Sequence, residues 1–111
     1  MKKIQLSDLN PREIIPGFKG KLVHGKGLTM AFWEIEAGSP LPEHHHVHEQ
    51  VAYVLSGEFE FTMDGKTFVA GPESVTVIPS NMPHSGRAIT DCKILDVFQP
   101  VREDYRSEGD G

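Results

Sequence analysis

Four of the six histidines in this 111-residue chain crowd into one short tract, His44, His45, His46 and His48, with Gln50 close behind. Neutral imidazole is the commonest metal-ligand side chain. On extended backbone, side chains alternate between faces, so His44 and His46 share a face and can converge on one point. His45 then turns away. His48 has the same parity, but a turn is expected between His46 and Gln50, so counting leaves its direction open. A histidine pair two residues apart on rigid backbone is a natural half of a metal site. The competing reading is a solvated loop or a tag remnant. The tract is internal, is broken by Val47 and Glu49, and runs into an apolar strand pattern, all of which favours the metal site.

The elements that must hold such a site read as short strands. Residues 1–17 contain Pro11 and Pro16 and read as an edge strand and a loop. Strands are expected over residues 18–24 and 28–36, with a turn at Gly25 and Gly27 between them. Gly38, Ser39 and Pro40 break the second, and Pro42 keeps the next segment extended. Residues 50–55 form a further strand. Residues 58–63 alternate polar and apolar, the pattern of a half-buried strand. Asp64-Gly65 is a hairpin signal, and residues 66–70 return. Residues 74–78 form another strand, residues 79–83 a loop that delivers His84, and residues 87–89 and 93–98 the last two strands. The polar tail, residues 106–111, is expected to fray. No amphipathic helix, internal repeat or long linker interrupts this series. Closely spaced short strands punctuated by Gly and Pro mean an all-β sandwich or barrel in one domain, residues 1–111.

The bulk properties narrow the partners. The formal net charge of -5 speaks against nucleic acid or an anionic membrane as the main partner. An anionic small molecule in a locally positive pocket stays compatible with it. Cys92 is the sole cysteine, so no disulfide forms within the chain, and it reads as an inert filler at the start of a late strand. No apolar run follows the N-terminal lysines, so neither signal peptide nor membrane span is expected, and a cytoplasmic location is the default. A chain this small gains from extra burial, so a homodimer is expected.

Two stretches resemble a known superfamily. Gly38, His44, His46, Gln50 and Gly57 reproduce the spacing of the first signature of the cupins. Gly71, Pro79 and His84 resemble the second, with Asn81 where glycine is common; asparagine tolerates left-handed backbone angles. The resemblance implies a double-stranded β-helix (a jelly-roll barrel) holding one divalent transition metal, Ni, Zn, Mn, Fe or Co, through His44, His46, Gln50 and His84. The residues agree with it: two strand histidines, one ligand from a neighbouring strand and one from the opposite side would surround a cation and leave room for substrate. The family's third ligand is commonly Glu. Gln50 leaves the ion's charge uncancelled, making a stronger Lewis acid and a better receptor for a carboxylate. Glu49, the alternative ligand, has the wrong spacing to Gly57.

A narrower resemblance covers most of the chain beyond Leu41. Residues 46–50, 53–58 and 94–105 look like the pectin-degradation cupins of the KdgF type. That likeness implies conversion of 4,5-unsaturated uronate monosaccharides to linear, ketonised 4-deoxy-5-keto sugar acids. It also implies active-site roles for Asp96, Phe98 and Arg102. Asp96 and Phe98 share parity and can both face the barrel interior. Asp96 is placed to shuttle a proton, Arg102 to clamp a substrate carboxylate, and Phe98 to stack on the ring. Arg87 and Tyr53 are weaker pocket candidates, and His24 and His45 are expected at the surface. A metal-dependent dioxygenase and a non-catalytic small-ligand-binding cupin are the alternatives.

Overall fold

The computed structural model describes residues 1–106. Ten strands follow one another: β1 (Arg12–Ile15), β2 (Phe18–His24), β3 (Thr29–Ile35), β4 (Pro40–His44), β5 (Glu49–Ser56), β6 (Phe59–Met63), β7 (Lys66–Ala70), β8 (Val75–Ile78), β9 (His84–Ala88) and β10 (Cys92–Gln99). They form two antiparallel sheets. One has the order β1-β2-β3-β10-β5-β8 and the other β4-β9-β6-β7. This is the jelly-roll expected. The only helices among the described residues are 3-10 turns at Leu6–Asp8 and Glu103–Tyr105. No helix among them is long and apolar enough to cross a membrane. The expected frayed tail lies outside the described residues from position 107 onward.

Alternation along each strand builds the core. In β10, Cys92, Ile94, Asp96 and Phe98 point inward and are buried, while the residues between them are more exposed. The same period puts Ala31, Trp33 and Ile35 inside on β3, and Gln50, Ala52 and Val54 inside on β5. Phe59 and Phe61 close the core from the smaller sheet. The register stacks these residues in tiers. Phe98 lies between Thr29 and Gln50, Asp96 between Ala31 and Ala52, and Ile94 between Trp33 and Val54.

Two turns depend on unusual backbone. Gly57 has φ +85, and a Cβ there would come within 2.1 Å of the Asp91 carbonyl oxygen, so no side chain fits. Asn81 has φ 61, the left-handed angle anticipated for it, and its N–H donates to the His46 carbonyl at 2.7 Å. That bond ties the loop before His84 to the loop bearing His46.

Two expectations need correction. The ninth strand begins at His84, not at Arg87, because the chain pairs with β6 as soon as it leaves Pro83. His46 is not a strand residue: β4 ends at His44, and the turn toward β5 starts at once.

Candidate metal centre

His44 and His84 are cross-strand partners at the open end of β4 and β9, with ring centroids 4.2 Å apart. His46 reaches them from the turn, 5.6 Å from His44 and 5.1 Å from His84 between centroids. The expected arrangement was therefore reversed in one respect. His84 comes from the strand beside His44, and Gln50 comes from the facing sheet. One potential ligand atom of each histidine lies within 4.8 Å of those of the other two.

The backbone decides which nitrogen each ring offers. His44 Nδ1 is 2.8 Å from the Pro42 carbonyl oxygen, His46 Nδ1 is 2.9 Å from that of His48, and His84 Nδ1 is 2.8 Å from that of Met82. A carbonyl only accepts, so each Nδ1 carries the hydrogen and donates it. Each neutral ring then presents a bare Nε2 lone pair. His84 is 1% exposed, and its Nε2 has no hydrogen-bond partner among the described residues. His46 Nε2 lies 3.2 Å from Gln50 Oε1, which is also an acceptor. The other end of the Gln50 amide favours the charged form of Asp96, which only an NH2 end can do. Lone pairs facing one another without a proton between them are what a cation reconciles. Burial, the Arg102 charge and the neighbouring rings hold His46 down to about 4, against the pull of its backbone hydrogen bond. Burial lowers His84 likewise. At neutral pH the His46 and His84 rings are free to ligate. Three imidazoles and one amide oxygen suit a divalent transition ion.

Asp96 sits one tier below. Its Oδ2 accepts from Trp33 Nε1 at 2.9 Å, while Oδ1 has no hydrogen bond of good geometry among the described residues. Burial pushes its carboxyl up to about 6, against the steadying effects of Gln50, Trp33 and Arg102.

Arg102 follows β10 and is held on every side. Its Cζ lies 4.6 Å from the Phe98 ring centroid and 3.9 Å from that of Tyr105. Its Nε and Nη2 donate to Asp104 at 2.9 and 2.7 Å. The guanidinium edge expected to clamp a substrate is thus already engaged by a neighbouring carboxylate. Asp96 and Arg102 form no ion pair with each other: Asp96 turns to Trp33 and Arg102 to Asp104.

The remaining candidates divide. His48 Nε2 lies 3.3 Å from the Val101 carbonyl, linking the His46 turn to the Arg102 segment. His24 is half-buried rather than on the surface. Its Nδ1 lies 2.9 Å from Thr29 Oγ1, which accepts the Arg102 N–H at 3.0 Å. His45 is exposed, as expected. Tyr53 lies on the outer face of β5 and Arg87 is exposed, so neither lines the cavity. Sequence reasoning missed Trp33 and Tyr105. Trp33 stands two positions from Ala31 on an inward-facing period, and that periodicity was the available signal.

A Cupin domain family profile matches residues 31–98, from inside β3 to the end of β10. The chain is a cupin. Its relatives include the pectin degradation protein KdgF of Dickeya dadantii, 27% identical over 109 residues, covering 95% of this chain and 99% of that protein. The solved structure of KdgF from a Halomonas species is 26% identical, with a TM-score of 0.85 over 90% of this chain and 95% of that one. An RmlC-like cupin from Shewanella frigidimarina is equally similar in structure, with a TM-score of 0.85 and 27% identity over 90% of this chain and 91% of that one. In this cupin the three histidines stand in the two signature segments and form a group able to hold an ion.

Proposed function

We propose that this cupin is a metal-dependent enzyme that opens 4,5-unsaturated uronate monosaccharides to linear 4-deoxy-5-keto sugar acids. The reading rests on the pairing of Asp96 with the histidine group. A buried carboxyl raised to about 6 lies one tier below Gln50, in the cavity that His44 and His84 also line. The likeness to proteins named for pectin degradation supports the substrate class. His44, His46, Gln50 and His84 would hold the ion, which when bound supplies Lewis acidity and undiminished positive charge toward substrate oxygens.

The reaction is an isomerisation, and its atoms balance through one proton. The anomeric hydroxyl of the sugar loses its proton as the C1–O5 bond breaks. The bonding pair goes to the C5 oxygen and leaves an aldehyde at C1 and an enol across C4 and C5. The enol becomes a ketone when C4 gains a proton and the C5 hydroxyl loses one. Asp96 would take and return that proton, and the bond from Trp33 to its Oδ2 would hold the carboxyl still. The Arg102 charge in the cavity wall attracts the substrate carboxylate. Because Asp104 occupies the Nε edge, that attraction acts through the rest of the guanidinium.

The test follows loss of ultraviolet absorbance as purified protein meets unsaturated galacturonate. Asp96→Asn is expected to slow that loss by about 10²–10⁴-fold while leaving metal content unchanged. An unchanged rate in the variant would remove the proton-shuttle role. Oxygen uptake on mixing, read with an electrode, would instead favour a dioxygenase.

A further inference from the structure

The cavity inside the barrel has a volume of about 310 Å³ and reaches well below the histidines. Strand register gives its depth. On the larger sheet Gln50 and Phe98 stand at the mouth, Asp96 lies two residues further along β10, and Ile94 and Trp33 two beyond that. On the smaller sheet His84 and Met63 are at the mouth, Phe61 is next and Phe59 is deepest. At about 3.3 Å per residue, the step from Phe98 to Ile94 is about 13 Å. Polar groups gather at the mouth. Below it the walls are Phe18, Trp33, Ile35, Phe59, Phe61 and Ile94, with Asp96 and the Tyr105 phenol, whose ring lies 6.2 Å from Trp33, the ionisable groups beside them. Ala31 and Ala52, flanking Asp96, are small and project little into the space.

A hydroxyl pushed into that lower half would find few partners, and a buried polar group left unpaired costs about 1–3 kcal/mol. An apolar group there would instead gain about 25 cal/mol for each Å² removed from water. We infer that the lower barrel is an apolar subsite and that this cupin binds carboxylic acids carrying a flat apolar ring. The ring descends toward Trp33 and Phe18, and the carboxylate stays at the rim beside Arg102 and the histidine group. The volume is at the lower end of the range for small-molecule pockets and accommodates a fused two-ring acid. The inference goes beyond the sugar-acid reading and requires no turnover of a uronate.

Calorimetric titration of the Zn²⁺-loaded protein with 2-naphthoate, benzoate and D-galacturonate tests it. Naphthoate is expected to bind one to one and at least tenfold more tightly than either of the others. Its heat capacity change should be negative, the mark of apolar burial. Ile15→Asn, in the cavity wall away from the histidines, should cost naphthoate at least tenfold while leaving galacturonate unchanged. Leu41→Asn makes the same test from the facing sheet if the first variant does not fold. Galacturonate binding as tightly as naphthoate, no binding of naphthoate, or naphthoate affinity indifferent to both variants would overturn the inference. The uronate assay stands or falls separately, on absorbance loss alone.

Discussion

Gln50 is where this site departs from the carboxylate common in cupins, and its effect is electrical. Its Oε1 faces His46 without bringing a negative charge. Gln50→Glu should therefore tighten divalent-metal binding, read by calorimetry, and raise the KM for an anionic substrate. Gln50→Ala should weaken metal binding. Asp96 and His46 pull acid stability in opposite directions. His46 is held at about 4 in the fold against an ordinary 6.5, so the unfolded chain binds the extra proton between those values. Its contribution is present above about 6.5 and is lost as pH falls toward 4. Asp96 is raised from 3.8 to about 6, so the folded chain binds the extra proton, and its contribution is lost as pH rises through the same window. The metal-free Asp96→Asn variant should accordingly show a steeper fall in Tm between pH 6.5 and pH 4 than the parent protein. An identical slope would mean that Asp96 keeps an ordinary carboxyl pKa.

The turn after β4 carries His46, and the loop before β9 delivers His84, so loop backbone matters as much as the histidines themselves. Asn81 at φ 61 closes the turn before His84, and its N–H holds the His46 carbonyl. Asn81→Gly should preserve both stability and metal affinity. Asn81→Val should cost about 1–2 kcal/mol in denaturant unfolding, because a β-branched side chain resists the left-handed region. It should weaken metal binding as well, since His46 and His84 lose their common brace. The segment after β10 has the same character. Arg102 is fixed by Thr29, Asp104, Phe98 and Tyr105, contacts that span most of the chain length.

Among the described residues, both sheets leave an edge strand with exposed apolar side chains, Phe68 and Val69 on β7 of the smaller sheet and two valines on β8 of the larger. Val75 and Val77 on β8, an edge strand of the larger sheet, are 56% and 55% exposed, and Leu55 on the adjacent β5 is 49% exposed. Unpaired edges with exposed β-branched residues favour pairing with another strand. A second copy of the chain, docked by two-fold symmetry, is the expected partner. Sedimentation at micromolar concentration should report a dimer, and Val77→Lys should shift it to monomer without loss of the fold. A monomeric parent protein would remove the homodimer.

The strands were legible because each carries its own periodicity, and the histidine pair because its spacing is local. The hairpin at Asp64-Gly65 and the left-handed Asn81 were readable for the same reason: a dipeptide or a single residue encodes its own backbone preference. Asp96 and Phe98 share a face by simple parity, which the fold respects. The sequence could not show which sheet would supply Gln50, nor that His84 would pair directly with His44. It did not reveal that Asp104 would engage Arg102, or that Trp33 would hold Asp96 from 63 residues away. Apart from the Asp104 contact, which is made within the turn after β10, those relations depend on the register between strands distant along the chain. Register is set by the burial of both sheets at once, a property of no single segment.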